Sequence, residues 1–97
     1  MTANNPFQSQ DCPVLNPMYL FRWEDTQQAY VLLYPEGVVK LNETAGEILK
    51  RCDGGRTVAQ LVQEMKQVFD ADAADVENGI QQFLEVSHAK GWIGRQA

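Results

Sequence analysis

The side chains able to do covalent or metal chemistry are few and scattered: one histidine, His88, and two cysteines, Cys12 and Cys52. A catalytic nucleophile needs a base within hydrogen-bond reach and a third group to orient that base. Nothing around His88 or either cysteine has that spacing, and no Cys-x-x-Cys or paired histidine offers a zinc set. Cys52 continues an apolar stripe and reads as a small buried hydrophobe, while His88 reads as a surface or boundary residue. Gly54-Gly55-Arg56 lacks the preceding strand and the following Lys-Ser/Thr of a phosphate-binding loop, so it reads as a helix stop. The expectation is a protein that is not an enzyme and that holds no metal or cofactor.

Composition narrows the class further. A chain of 97 residues with 44% hydrophobic content has room for one domain and one modest core. Its net charge of −5, from 13 acidic and 8 basic residues, gives no footing for a polyanion. No apolar run approaches the roughly 18 residues that cross a bilayer, and the polar N-terminus has no signal-peptide pattern. No membrane association is expected, and a cytoplasmic location is the simple reading.

The elements that must position these residues follow from the hydropathy pattern. Residues 1–17 place Asn4-Asn5-Pro6, Cys12-Pro13 and Asn16-Pro17 among polar neighbours, which predicts a flexible N-terminal arm. The domain is expected over residues 18–93, with a C-terminal tail at 94–97. Met18 to Trp23 and Ala29 to Tyr34 are aromatic, β-branched or aliphatic around a polar Glu24 to Gln28, the pattern of a hairpin. Pro35-Glu36-Gly37 makes a second tight turn, with Gly37 available for positive φ, and Val38-Val39-Lys40 follows as a short third strand.

At Leu41 the period becomes helical. Asn42 is a plausible N-cap for a helix from about Glu43 to Cys52, stopped by Asp53-Gly54-Gly55. Thr57 and Gln60 form a capping box ahead of Val58, Leu61, Val62, Met65, Val68 and Phe69 on one stripe. Asp72 can cap a third helix over about Ala73 to Lys90, closed by Gly91. The predicted fold class is α+β and winged helix-turn-helix-like, a three-stranded antiparallel β-meander followed by three α-helices.

Two features of this layout bear on binding. An outer strand of a meander keeps unpaired backbone donors and acceptors. Val38-Val39-Lys40-Leu41 is short and apolar with a single lysine guard, so a peptide could add there as a further strand, its alternate side chains lying toward the third helix. Coverage of that edge by a second copy or by the N-terminal arm is the alternative, and monomer and homodimer both stay open. On the third helix, Val76, Ile80, Phe83, Leu84 and Ser87 form the core stripe, with Gly79, Val86 and Lys90 along one flank. Gly79 costs about 1 kcal/mol relative to alanine inside a helix. Either another backbone passes close to it, or it packs tightly against the protein's own sheet.

A winged helix also raises DNA binding. The second helix would read the major groove, and Gln60, Gln63 and Gln67 suit that task. Against it, Lys66 is the only cation from Val58 to Phe69, and six acidic residues face two lysines between Thr57 and Lys90. A DNA-binding regulator is therefore the second reading, and no nucleic-acid partner is expected.

The ordered string Tyr30-Val31-Leu32-Leu33-Tyr34-Pro35-Glu36-Gly37, Leu41-Asn42-Glu43-Thr44-Ala45, Cys52-Asp53-Gly54, Arg56-Thr57-Val58 and Lys90-Gly91-Trp92-Ile93 resembles the PqqD family of pyrroloquinoline quinone (PQQ) biosynthesis. The resemblance spans about Pro17 to Ile93 and implies a stand-alone peptide recognition element, a peptide chaperone of ribosomal-peptide modification. Such an element binds the leader of the precursor peptide PqqA as an added strand and presents it to the radical S-adenosylmethionine enzyme PqqE. The resemblance places the groove between Val38, Val39, Lys40 and Leu41 on one wall and Val76, Gly79, Ile80, Phe83 and Lys90 on the other. Two positions depart from the family pattern: Gly79 stands where an acidic residue is common, and Ser87 where an apolar one is common. Both bear on the polarity and tightness of the groove.

Overall fold

Tight polar turns let the first strands pair in sequence order. In the computed structural model, which describes residues 7–69 and 72–96, β2 (Leu20–Glu24), β3 (Ala29–Tyr34) and β4 (Gly37–Lys40) form an antiparallel sheet in the order β2-β3-β4. Gln28 closes the first turn at φ 52°, its side-chain amide donating to the Asp25 carbonyl at 2.7 Å. The second turn is closed by the Tyr34–Gly37 pair, and Gly37 does not use the positive φ open to it. Strand alternation puts Phe21, Trp23, Tyr30, Leu32 and Val39 on one face and Leu20, Arg22, Val31, Leu33, Val38 and Lys40 on the other.

The helices cover the first of those faces. Asn42 caps α1 (Glu43–Lys50) by accepting from the Ala45 N–H at 2.7 Å. In α2 (Val58–Phe69) the Thr57 and Gln60 capping box forms in both directions, at 2.8 and 3.2 Å. Asp72 occupies the N-cap position of α3 (Ala73–Ala89), without a side-chain bond to the helix, and Gly91 follows the helix at φ 82°. Leu32, Ile48, Leu61, Met65, Ile80 and Leu84 interlock as the buried centre where sheet and helices meet.

The polar composition of residues 1–17 suggests a loose arm, and the structure corrects this for the described part, residues 7–17. Phe7 is only 2% exposed and stays in the core, its carbonyl accepting from Gln81 at 2.8 Å. The Ser9 and Asp11 carbonyls take the Ala59 and Val58 N–H groups at the start of α2. Pro13–Leu15 is a strand, β1, paired antiparallel with β5 (Ile93–Arg95), so most of the expected tail belongs to the fold too. The reason is pairing across the whole chain, which no local pattern reveals. Residues 1–6 and 97 lie outside the described residues.

One carboxylate ties the helices together. Glu64 of α2 accepts from Arg51 and Arg56, each at 2.8 Å, and these arginines also reach Glu47 at 2.7 Å and Asp53 at 2.6 Å. The two guanidinium groups, Arg56 foremost, hold the Glu64 carboxyl below the usual carboxylate range. A carboxyl that ionises at lower pH when folded stabilises fully above the ordinary glutamate range and loses that contribution as pH falls through its folded value. Glu64 is 37% exposed, so solvent screening limits the gain to at most about 1 kcal/mol. Urea unfolding of Glu64→Gln should show lower stability than the parent at neutral pH, with the difference closing in strong acid; a gap independent of pH contradicts this.

A close approach sets the seat of α1. A Cβ built on Gly46 would lie 2.6 Å from Tyr30 Cδ2 and 3.2 Å from Tyr30 Cβ, too near the strand to be relieved by a side-chain swing. Gly46→Ala should therefore lower the urea midpoint, overpacking costing about 1–3 kcal/mol against a helix-propensity gain of about 1 kcal/mol. An unchanged or higher midpoint would refute the tight seat.

Candidate functional site

The free edge of β4 can be read bond by bond. Val31 lies opposite Lys40 and Leu32 opposite Val39, and the Leu41 N–H donates to the Tyr30 carbonyl at 2.9 Å. Antiparallel ladders alternate, so Val39 exchanges both bonds with Leu32 while the backbone groups of Val38 and Lys40 point away from β3. No strand pairs with that edge among the described residues. The described part of the N-terminal segment does not pair with it, since residues 13–15 run beside β5 instead.

Along the helices lies a largely apolar cavity of about 290 Å³, lined by Thr44 and Ile48 of α1, Met65 and Phe69 of α2, and Asp75, Val76, Gly79 and Ile80 of α3. Thr44 is four residues beyond Lys40, so no more than about 14 Å of chain separates this cavity from the end of β4. Nothing lies within 4 Å of a Cβ built on Gly79. Tight packing against the protein's own sheet is thus not what keeps a glycine here.

The groove residues expected from sequence divide into groups. Val38 and Lys40 are exposed on the edge strand, and Val39 is half-buried against the core. Leu41 is buried and bonded back to β3, so it supports the wall rather than presenting it. Val76, Gly79 and Ile80 come together in the cavity, with Ile80 as its buried floor, while Phe83 packs onto the core. Lys90 stands apart: eleven residues of helix, about 16 Å, separate it from Gly79, and its ammonium rests 5.8 Å from the Trp92 ring. Sequence reasoning missed Thr44, Met65 and Phe69, whose apolar or small character at helical spacing looks the same whether it fills a core or lines a cavity.

Of the reactive types, Cys52 is buried, whereas Cys12 and His88 are half-buried. Cys52 donates to the Ile48 carbonyl at 3.3 Å, and desolvation, with Asp53 beside it, pushes its thiol up to about 12. His88 meets Phe7 edge-on at 5.7 Å, and Ser87 is fully buried with no partner for its hydroxyl among the described residues. On α2, Gln60 is held in the capping box and the Ser9–Asp11 segment bonds to the helix start, while Gln63 and Gln67 are exposed.

These features define a small winged-helix-like α+β domain with one unpaired strand edge near an apolar cavity. A family model described as Coenzyme PQQ synthesis protein D (PqqD) matches residues 29–93, and the chain belongs to that family. The PqqA binding protein of Pseudomonas entomophila is 44% identical over 87 residues, covering 90% of this chain and 94% of that one. The PqqA binding protein of Pseudomonas paraeruginosa is 48% identical over 84 residues, covering 87% and 90%. Among solved structures, the PqqD truncation of Methylobacterium extorquens PqqCD, described as a functional and stand-alone recognition element for ribosomally synthesized, post-translationally modified peptides, is 34% identical. It superposes with a TM-score of 0.76 over 92% of this chain and 95% of its own. PqqD from Xanthomonas campestris, 30% identical, gives a TM-score of 0.53 over 88% and 94%.

An exposed helical glycine with open space above it should be replaceable at a gain. Gly79→Ala is expected to stabilise the free protein by about 1 kcal/mol, read as a higher thermal midpoint; a lower midpoint would mean that the space above Gly79 is filled.

Proposed function

We propose that this protein is a non-catalytic peptide adaptor of PQQ biosynthesis. It binds the leader of PqqA as an added strand on β4 and presents it to the radical S-adenosylmethionine enzyme PqqE. The outward backbone groups of Val38 and Lys40 carry the reading, because they offer donors and acceptors that no strand among the described residues uses. The relatives named PqqA binding protein support the choice of peptide. Side chains on the core side of the added strand lie toward α3, where Val76 and Gly79 offer apolar surface and room for a backbone. Burial pushes the Cys52 thiol up to about 12, so it offers no thiolate nucleophile near neutral pH, in keeping with a non-catalytic role.

Titrating synthetic PqqA into labelled protein should move the amide signals of Val38 to Lys40 and of Val76 to Ile80. Val38→Pro removes one outward N–H while sparing the β3 ladder, so it should weaken binding about 3- to 10-fold, the worth of one hydrogen bond. Shifts confined to β1, β5 or α2 would sink the proposal.

A further inference from the structure

A second, larger cavity, of about 500 Å³, lies where β4 runs into α1, at the end of the free edge. Its walls are Trp23 and Tyr30, cross-strand partners whose rings meet at 74° with centroids 5.0 Å apart, and the carboxylates of Glu43 and Glu47. Lys40 borders it through its backbone, because alternation sends its side chain to the opposite face of the sheet. The charge presented to the cavity is therefore negative. Glu47 is held by Arg51 at 2.7 Å, whereas Glu43 makes no ion pair or hydrogen bond among the described residues. The Tyr30 ring already draws one cation, the Lys50 ammonium at 6.0 Å from its centroid, although Lys50 does not line the cavity.

An aromatic corner beside an unpaired carboxylate suits a flat cation, which can stack on the rings and fork its N–H groups to the acid. We infer that this cavity is a specificity pocket for one cationic side chain, arginine above all, of the peptide seated on β4. The inference rests on the added-strand reading. Lys40, Leu41 and Asn42, at the end of β4 and just beyond it, line the pocket, so in the proposed complex a strand bonded to Val38 and Lys40 and continuing past that end would bring a core-side residue toward it.

The test uses a set of synthetic PqqA peptides in which each position in turn carries arginine or its uncharged isostere citrulline. One position should prefer arginine by about tenfold in Kd, the scale of a cation–π contact joined to a charged hydrogen bond. Glu43→Gln should erase that preference, and Glu43→Lys should invert it so that glutamate binds better than arginine at the same position. Trp23→Phe, a milder change at the other wall, should reduce it in part. If β4 amides shift with peptide but no position distinguishes arginine from citrulline, or the preference survives Glu43→Gln, the pocket is refuted and the added strand stands. If β4 amides do not shift at all, both fail.

Discussion

The contact between Gly46 and Tyr30 is the constraint on which the rest of this molecule depends. With no side chain on Gly46, α1 lies directly on β3, and Tyr30 can stack on Phe21 at 4.8 Å while flanking Trp23. One face of the sheet is then sealed by a single short helix, which begins two residues after Leu41 and turns immediately onto the strands. Both cavities are products of that seat. Glu43 and Glu47 overlook one, and Thr44 and Ile48, from the adjacent side of the same helix, overlook the other. Lifting α1 away from β3 would merge or erase them and would drag the start of the helix off the end of β4.

The second level of organisation holds the helices to one another without using the sheet edge. Glu64 gathers Arg51 and Arg56, and the N-terminal segment completes the first turn of α2 with the Ser9 and Asp11 carbonyls. Arg95 reaches the Asp11 carboxylate at 3.1 Å and lies 4.2 Å over the Phe7 ring, so chain beginning and chain end are clasped together. All of this closure takes place on the β1–β5 side. The consequence is a molecule braced at its back and open at its front, where β4 has neighbours on only one side.

Local chemistry was legible in the sequence, and chain-length pairing was not. The cap at Asn42, the capping box at Thr57 and Gln60 and the meander all rest on residues within a few positions of one another and appear where the pattern puts them, whereas α1 ends at Lys50, two residues before the expected Cys52, with Gly54 at φ 82° in the link that follows. β1 was hidden because three residues beginning with proline carry no strand signal, and its partner lies some eighty positions away. In the candidate site, the edge of β4 was readable from strand order alone, since the last strand of a meander must be an outer one. The cavity walls from α1 and α2 were not, because a stripe such as Met65 and Phe69 has the same period whether the space beside it is filled or empty. Lys90 shares a helical flank with Gly79 in projection, but projection discards the distance along the axis that separates them.

An exposed strand edge that welcomes a peptide also welcomes a copy of itself, and the same physics must serve one and discourage the other. The outer face beside this edge is apolar, with Leu20 and Val38 exposed at 58% and 59% on either side of Leu33. Three features oppose edge-to-edge pairing of identical chains. β4 spans only four residues, so self-pairing would gain few bonds. Lys40 places a charge on that edge, a device that discourages edge-to-edge pairing. The net charge of −5 adds long-range repulsion between copies that a differently charged peptide does not feel. A short edge is a weak template for assembly, yet it suffices for a peptide whose side chains also enter pockets beside it. In the proposed complex, backbone pairing would set the register and the flanking cavities would discriminate between sequences.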